Sequence, residues 1–410
     1  MTKEFHTTKV AAAMAACAAA AGAAHAAEPT PPAGVVEAIQ AGKPILDFRL
    51  RYAGVDQTGF SEDASALTLR THLGWETGAY RGFKALIEFE DVRAVVEDYN
   101  STANGKTSYP VEADPEVTEL NRAQLSWTNG AGFTATGGRQ RVIIDNARFV
   151  GNVGWRQDEQ TFDAARFDYA KDKFAVTYAY VWGIERIFAE NADFGSQSHL
   201  LNASYAFAPT LKLTGFVYAL DVDEAPAAST STVGVTASGG TSFDEYKLTY
   251  SGTFATQSDY GDNPSDVDLN YYRADVGVSR GPLALSGAYE VLEGDGTVGF
   301  ATPLATLHAF QGWADVFLAT PATGVEDAFL TAKYSPSWEA GFLSSPAFTL
   351  IYHDFEAEQT GGDLGSEIDL QFTAKIAPKV SGVIKFADYD GPTGGPADRT
   401  KVWFGLQFTL

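Results

Sequence analysis

Basic side chains recur at every second position in several short segments of this 410-residue chain. Arg49 and Arg51 alternate with Phe48 and Leu50, and such alternation places odd and even positions on opposite faces of an extended segment. Guanidinium and ammonium groups that share a face can bind carboxylates and phosphates. We expect one anion-attracting surface to contain Arg49, Arg51, Arg70, Lys84, Arg122, Arg139, Arg141, Arg148, Arg156, Arg166 and Arg273.

Acidic residues share this surface, so two interpretations of it stay open. On the clearest segments they are Asp47, Glu88, Glu90, Asp168, Asp275, Glu367 and Asp369. The basic residues either select anions or form compensating pairs that only keep the surface hydrated. For Arg139 the direction depends on Gly137 and Gly138, where the alternation loses its phase, and a bulge there would turn the side chain inward.

Two longer segments combine charge with apolar residues that a freely solvated loop would leave exposed. Segment 141–159 contains three arginines and the run Val142, Ile143, Ile144, and segment 300–324 contains Leu304, Leu307, Phe310 and further large apolar residues. We expect both segments to fold inward and narrow an opening. The residues expected at this constriction or lid are Asp145, Trp155, His308, Trp313 and Asp315.

The titratable residues of these segments do not predict catalytic or metal chemistry. His308 and Asp315 invite a catalytic interpretation, but a packed, hydrogen-bonded role is favoured, because no nucleophile motif accompanies them. The acidic segment 259–268 does not match a calcium-binding EF-hand frame and is interpreted as a solvated tip. We therefore predict no catalytic residue, no metal and no cofactor.

The elements that must position these residues are short strands. Leu67, Leu69 and Leu73 alternate with polar residues, as do Phe404 and Leu406 near the end of the chain. No stretch after the first 26 residues approaches the run of about 18 apolar residues that a membrane-spanning helix needs. The chain is therefore predicted to be all-β.

The connections between these strands fall into two alternating sets. One set consists mostly of tight turns, such as 129–132, and the other of long segments, such as 97–119 and 293–324. Short turns at one end and long loops at the other are typical of a transmembrane antiparallel up-and-down β-barrel. We predict about 18 strands within residues 44–410, with short periplasmic turns and long extracellular loops.

The N-terminal residues predict export. Lys3 and Lys9 precede an apolar stretch from Val10 to Ala24, and small residues follow, so residues 1–26 are interpreted as a cleaved signal peptide and 27–43 as a periplasmic lead-in. Such a leader on a β-barrel indicates the outer membrane of a Gram-negative bacterium. A net charge of −23 argues against a nucleic-acid partner.

Two segments carry a resemblance to a known family. They are GRQRVIIDNARFVGNVGWRQDEQTFDAARFDY, residues 138–169, and FATPLATLHAFQGWADVFLATPATGVED, residues 300–327. Both resemble the alginate export family of outer-membrane proteins. The resemblance implies an 18-stranded barrel whose arginine-rich lumen passes an anionic polysaccharide.

We therefore expect an outer-membrane porin, not an enzyme, that passes hydrophilic and preferably anionic solutes such as sugar acids or acidic oligosaccharides. An unselective diffusion pore and a surface adhesin or scaffold with a plugged barrel are the alternatives. The expected partners are outer-membrane lipid, lipopolysaccharide, the solute and the barrel assembly machinery during biogenesis. A periplasmic partner at the short turns is left open.

Overall fold

The computed structural model describes residues 32–189, 192–338, 341 and 343–410. The predicted signal peptide, residues 1–26, lies outside the described residues. Within the described part of the predicted lead-in, one short helix, α1, spans Val35–Gln40. Among the described residues, no helix is both long enough and apolar enough to cross a bilayer.

Antiparallel strands make up most of the described chain, and helix is nearly absent. Two single-turn 3₁₀ helices, Pro226–Ala228 and Leu307–Ala309, lie in loops. The strands are β1 Lys43–Gln57, β2 Ala64–Glu76, β3 Phe83–Asp98, β4 Val117–Thr128, β5 Phe133–Gln140, β6 Thr161–Lys171, β7 Phe174–Glu185, β8 Phe194–Ala208, β9 Leu211–Ala219, β10 Thr230–Phe243, β11 Tyr246–Asp259, β12 Asp268–Arg280, β13 Leu283–Leu292, β14 Val325–Tyr334, β15 Ser344–Ala357, β16 Gly362–Ala377, β17 Val380–Asp390 and β18 Arg399–Thr409.

Each strand pairs with its neighbours along the chain, and the first strand pairs with the last. β1 and β18 run antiparallel with Phe48 opposite Phe408 and Tyr52 opposite Phe404. This pairing closes the sheet into a barrel and leaves no edge of unpaired backbone groups, which hydrocarbon would not tolerate. The predicted 18-stranded up-and-down barrel is confirmed.

The outer face of the barrel is apolar. Large side chains that alternate with the charged residues stay exposed on this face; they include Leu73, Phe89, Leu125, Phe167, Leu285, Leu330, Leu370 and Phe404. In water such a surface would be costly, whereas a bilayer removes the cost because hydrocarbon solvates it.

The two ends of the barrel differ as predicted. At one end, turns of two residues join β6 to β7, β8 to β9, β10 to β11, β12 to β13 and β16 to β17. The turn before β5 requires glycine, since Gly132 has φ +100° and a Cβ would lie 2.2 Å from the Ala170 carbonyl oxygen. Segments 99–116, 141–160 and 293–324 form long loops at the other end. The short turns are periplasmic and the long loops extracellular.

The main apolar core of the molecule lies inside the barrel. Val142 and Val150 of the 141–160 loop pack with Phe300 and Leu304 of the 293–324 loop in one buried cluster. An isolated β-bridge joins Val150 to Leu304. The two loops are therefore a packed layer within the barrel that contacts its inner wall.

Candidate functional site

One end of the 141–160 loop is bound to β1 and β2. Arg49 donates from Nε to Gln157 Oε1 at 2.8 Å and from Nη1 to the Gly154 carbonyl at 2.9 Å. Gln157 in turn donates to Thr68 Oγ1 at 2.9 Å. The guanidinium of Arg51 lies 4.8 Å from the centre of the Trp155 ring. Inner-face residues that alternation predicts thus hold the loop by its backbone and by an aromatic ring.

The other end of the same loop reaches strands on the far side of the sheet order. Asp145 accepts a hydrogen bond from Asn202 of β8 at 2.6 Å. Arg148 is buried and donates from Nε to Glu290 of β13 at 2.6 Å. Since β1, β8 and β13 lie far apart in the closed sheet, the loop spans the lumen and does not follow one wall.

Arg156 forms a junction among three loops. It donates to Glu112 of the 99–116 loop at 3.1 Å and to Asp315 of the 293–324 loop at 2.8 Å. Lys401 of β18 pairs with the same two carboxylates at 2.9 and 2.7 Å. All four side chains are buried. Two cations therefore balance two anions, and the junction is close to neutral.

The electrostatics of this junction follow from burial and pairing. Burial alone disfavours the charged form of Glu112, but Lys401, Arg156 and Arg51 lower its pKa to about 2. Burial opposes the charged form of Arg156 as well, yet Asp315 and Glu112 raise its pKa above the usual value. Both groups stay charged at neutral pH, so the junction holds the three loops together.

His308 uses both ring nitrogens within the protein. Nδ1 lies 2.7 Å from Asp315 Oδ1, and Nε2 lies 2.6 Å from Lys385 Nζ of β17. The ring stacks on Trp155 with centroids 5.0 Å apart. Burial lowers the pKa of His308 to about 3, so the imidazole is neutral at pH 7, donating from Nδ1 and accepting at Nε2. This geometry describes a packed, hydrogen-bonded residue.

Backbone groups fix the following part of the 293–324 loop. The N–H of Trp313 donates to Asp369 Oδ2 at 3.3 Å and that of Ala314 to Glu367 Oε1 at 2.7 Å. From β18, Arg399 donates to the carbonyl of Ala314 at 2.9 Å. Carboxylates of β16 thus accept hydrogen bonds from N–H groups of the loop, and a guanidinium of β18 donates to one of its carbonyl groups.

Ion pairs on the inner wall expose their two partners unequally. The side-chain exposure is 14% for Arg122 against 1% for Glu88, and 30% for Arg141 against 2% for Glu159. Arg273, at 13%, pairs both with the fully buried Glu290 and with Asp275, whose side chain is 31% exposed. In the Arg122 and Arg141 pairs the carboxylate is therefore more deeply buried than the guanidinium.

The sequence match falls on the part of the chain that contains the 141–160 loop. The model of the family described as alginate export matches residues 47–182. The predicted family resemblance is confirmed there. A comparison with curated proteins finds no match.

Solved outer-membrane porins share the barrel along most of its length. OccK9 (OpdG) of Pseudomonas aeruginosa has a TM-score of 0.70 at 13% identity, covering 91% of this chain and 100% of that chain. OpdK of the same organism, crystallised with vanillate, gives 0.69 at 11% identity, covering 91% and 99%. OccAB4 of Acinetobacter baumannii gives 0.67 at 13% identity, covering 90% and 98%. The chain is an outer-membrane β-barrel with the fold of a porin-type channel.

The remaining predicted residues of this porin-type barrel form short-range pairs. Arg70 pairs with Asp47 at 2.5 Å, and Arg166 pairs with Asp168 at 2.8 Å. Lys84 pairs with Glu76 near the periplasmic end, and both side chains are exposed.

Arg139 differs from the other predicted arginines in its direction. Its cross-strand neighbours are Ala123 of β4 and Asp163 of β6, and Ala123 shares the outer face with Leu125. Arg139 pairs with Asp163 at 3.0 Å and with Glu185 at 2.5 Å. Gly138 takes φ +109°, yet it stays in register with Gln124 of β4. The register therefore places Arg139 on the outer face of the porin-type barrel.

Several inner-face residues were missed by sequence reasoning. Lys333 and Lys375 lie two-residue steps from the inward Asp327 and Asp369, so the alternation of β14 and β16 could have found them. Lys212 and Lys385 follow the same logic on β9 and β17. The loop carboxylate Glu112 carries no such signal, because its position depends on tertiary packing.

Proposed function

We propose that this porin-type barrel conducts hydrophilic solutes and prefers anions, with sugar acids and acidic oligosaccharides such as alginate as the solute class. The supporting observation is the unequal exposure within the lumenal ion pairs. Arg122 and Arg141 present guanidinium groups to the lumen, while their carboxylate partners Glu88 and Glu159 are buried. A permeating ion therefore meets positive groups first, although each pair is neutral.

The barrel strengthens such an effect. Apolar walls and the surrounding lipid have a low dielectric constant, so field lines concentrate in the aqueous path. Rings of charged side chains set the ion preference of channels in this way. Guanidinium groups also match the planar geometry of a carboxylate, which favours uronate-type sugars over neutral ones.

Lysines near the periplasmic end add to the positive lumen. Lys212, Lys247, Lys333 and Lys375 are exposed and stand at inward positions of β9, β11, β14 and β16. None of the four forms an ion pair with another residue of the described chain. Their charge is therefore available to a solute.

The test is a reversal-potential measurement on the purified barrel in a planar bilayer under a potassium chloride gradient. For the wild type, the reversal potential should be shifted from zero toward the equilibrium potential of chloride. The double variant Lys247→Gln/Lys333→Gln should shift the reversal potential toward the equilibrium potential of potassium. It removes two lumenal charges without breaking a described ion pair. Arg280→Gln is the matched control, because Arg280 pairs with Glu245 at an exposed turn.

Each alternative function has its own result in these measurements. An unselective diffusion pore would give a potential near zero and would swell liposomes at equal rates with neutral and acidic sugars. A plugged scaffold would show no current at any voltage, and the loops that cross the lumen make this outcome worth recording. A potassium-side reversal potential would contradict the proposal.

A further inference from the structure

A second cluster of chemistry-bearing side chains lies between β2, β3 and the 141–160 loop. His72, Glu90 and Glu159 are all buried, and one potential ligand atom from each lies within 4.8 Å of the others. His72 Nε2 contacts Glu90 Oε2 directly. The three residues come from two adjacent strands and one loop, so only the tertiary structure brings them together.

One carboxylate oxygen in this cluster has no hydrogen-bond partner. Glu90 is fully buried, and its Oε1 lacks a partner among the described residues. The neighbouring Asn121 donates to Glu88 and Glu159 but leaves its own Oδ1 without a donor. Buried oxygens of this kind are costly unless a donor or a cation satisfies them.

The charge around the cluster also favours a cation. Glu88, Glu90 and Glu159 bring three carboxylates together, and Asp158 and Glu119 lie near Glu90. Arg122 and Arg141 supply two guanidinium groups, and the third nearby arginine, Arg70, is paired with Asp47. A buried excess of negative charge is stabilised when a cation occupies the site.

We propose that His72, Glu90 and Glu159 bind a divalent transition-metal ion, for which Zn²⁺ is the suitable probe. One imidazole nitrogen and two carboxylate oxygens form a donor set that Zn²⁺ accepts, and a fourth position is left for water or Asn121. When the ion binds, one oxygen of Glu159 coordinates the metal and no longer accepts a hydrogen bond from Arg141. Arg141 is partly exposed and lies 3.5 Å from Glu88, so it keeps a carboxylate partner.

Such an ion would fasten the 141–160 loop to the barrel wall. His72 and Glu90 belong to neighbouring strands, whereas Glu159 lies at the end of the loop just before β6. Because the same loop reaches Glu290 through Arg148, a metal at Glu159 restrains one end of the layer that crosses the lumen. The inferred function is a structural site, which goes beyond solute conduction and is independent of ion preference.

The first test is the zinc content of the tag-free, detergent-purified barrel. After incubation with zinc chloride and gel filtration in metal-free buffer, we expect one equivalent of zinc per chain. His72→Gln and Glu90→Gln should each weaken zinc binding more than about 10-fold in calorimetry. Equal zinc binding by the wild type and both variants would overturn the proposal.

The matched control is His353→Gln. His353 is also buried between carboxylates, but Asp327 lies at Nδ1, 2.9 Å away, and Asp369 lies at Nε2, 3.7 Å away. Acids on opposite sides of the ring cannot converge on one ion. This variant should keep the zinc equivalent, and its loss there would also count against the assignment.

A measurement on the wild type alone avoids dependence on variants that fail to fold. X-ray absorption of the zinc-loaded barrel should show one imidazole and otherwise oxygen donors at four or five positions. The unfolding temperature should rise with zinc concentration, because the ion binds the folded state. A spectrum without imidazole, or no zinc retained at all, would refute the site whether or not the barrel conducts anions.

Discussion

Arg148 and Glu290 join the 141–160 loop to β13 through a hydrogen bond of 2.6 Å that spans 142 positions of the chain. The guanidinium also lies 4.8 Å from the ring centre of Phe310 in the 293–324 loop. One arginine therefore connects both loops and the barrel wall. Because the pair is buried, its main contribution is to loop position and not to the charge that a solute meets.

Arg148→Gln should loosen this layer. Glu290 keeps Arg273 and Tyr271 as partners, so the loss is that of hydrogen bonds to a charged group, about 1.5–3 kcal/mol of stability. We expect more frequent transitions between conductance levels in single-channel recordings. Arg166→Gln is the control, since the Arg166 pair stays within β6. A variant with wild-type noise and conductance would show that Arg148 does not hold the loop.

Acidification should destabilise the loop layer through His308. Burial lowers the pKa of His308 from 6.5 to about 3, so between these values the unfolded state binds more protons than the folded state. Stability therefore falls as pH decreases from 6.5 toward 3, by on the order of 1 kcal/mol per pH unit. Urea unfolding in lipid vesicles at several pH values measures this slope.

His308→Gln should flatten that pH dependence, even if the variant is less stable at pH 7. His199→Gln serves as the control, because His199 contacts Tyr178 through an exposed hydrogen bond. The interpretation fails if His308→Gln has the same slope as the wild type between pH 4 and 6.5.

Gly312→Ala should displace the 293–324 loop from β16. Gly312 has φ +80°, and a Cβ would lie 2.3 Å from Glu367 Oε2. The backbone strain and the clash together should cost about 1–3 kcal/mol, and the channel should open wider or fluctuate. Gly137→Ala is the matched control, since a Cβ there meets nothing within 4 Å. Similar thermal stability and conductance for the two variants would contradict this account.

Adjacent residues on β16 offer a test of which face meets lipid. Leu370 is exposed on the outer face, whereas Gln371 points into the lumen. Leu370→Arg should reduce the folding free energy in bilayers by about 2–4 kcal/mol, and Gln371→Arg should be nearly neutral. Folding yields measured by gel mobility of unheated samples distinguish the two. Equal penalties would mean that the assigned faces are wrong.

Sequence reasoning predicted the barrel because a period of two reports the environment of every strand residue. Val402, Phe404 and Leu406 face outward while Lys401 and Trp403 face inward, as their alternation indicates. The alternation also predicted about 18 strands, and the contrast between tight turns and long loops predicted an up-and-down membrane barrel; both are confirmed. The same periodicity was available for Lys333 and Lys375, which were overlooked.

The face to which a side chain points was harder to predict where the alternation of polarity breaks. Around Gly137 and Gly138 the small residues carry no polarity signal, so the face of Arg139 could not be read from alternation. The register between β4 and β5 settles it by placing Arg139 opposite Ala123. Hydrogen bonding across strands, and not composition, determines this position.

The amino-acid sequence by itself determined the membrane barrel. Lipid on the outer face and water on the inner face require adjacent residues of each strand to alternate between apolar and polar. Only the tertiary structure decided the contacts within the lumen. Arg156 meets Glu112 and Asp315 from two other loops, and Glu159 meets His72 and Glu90 of the wall. Such partners are brought together by chain closure and loop packing over long separations, which no local pattern records.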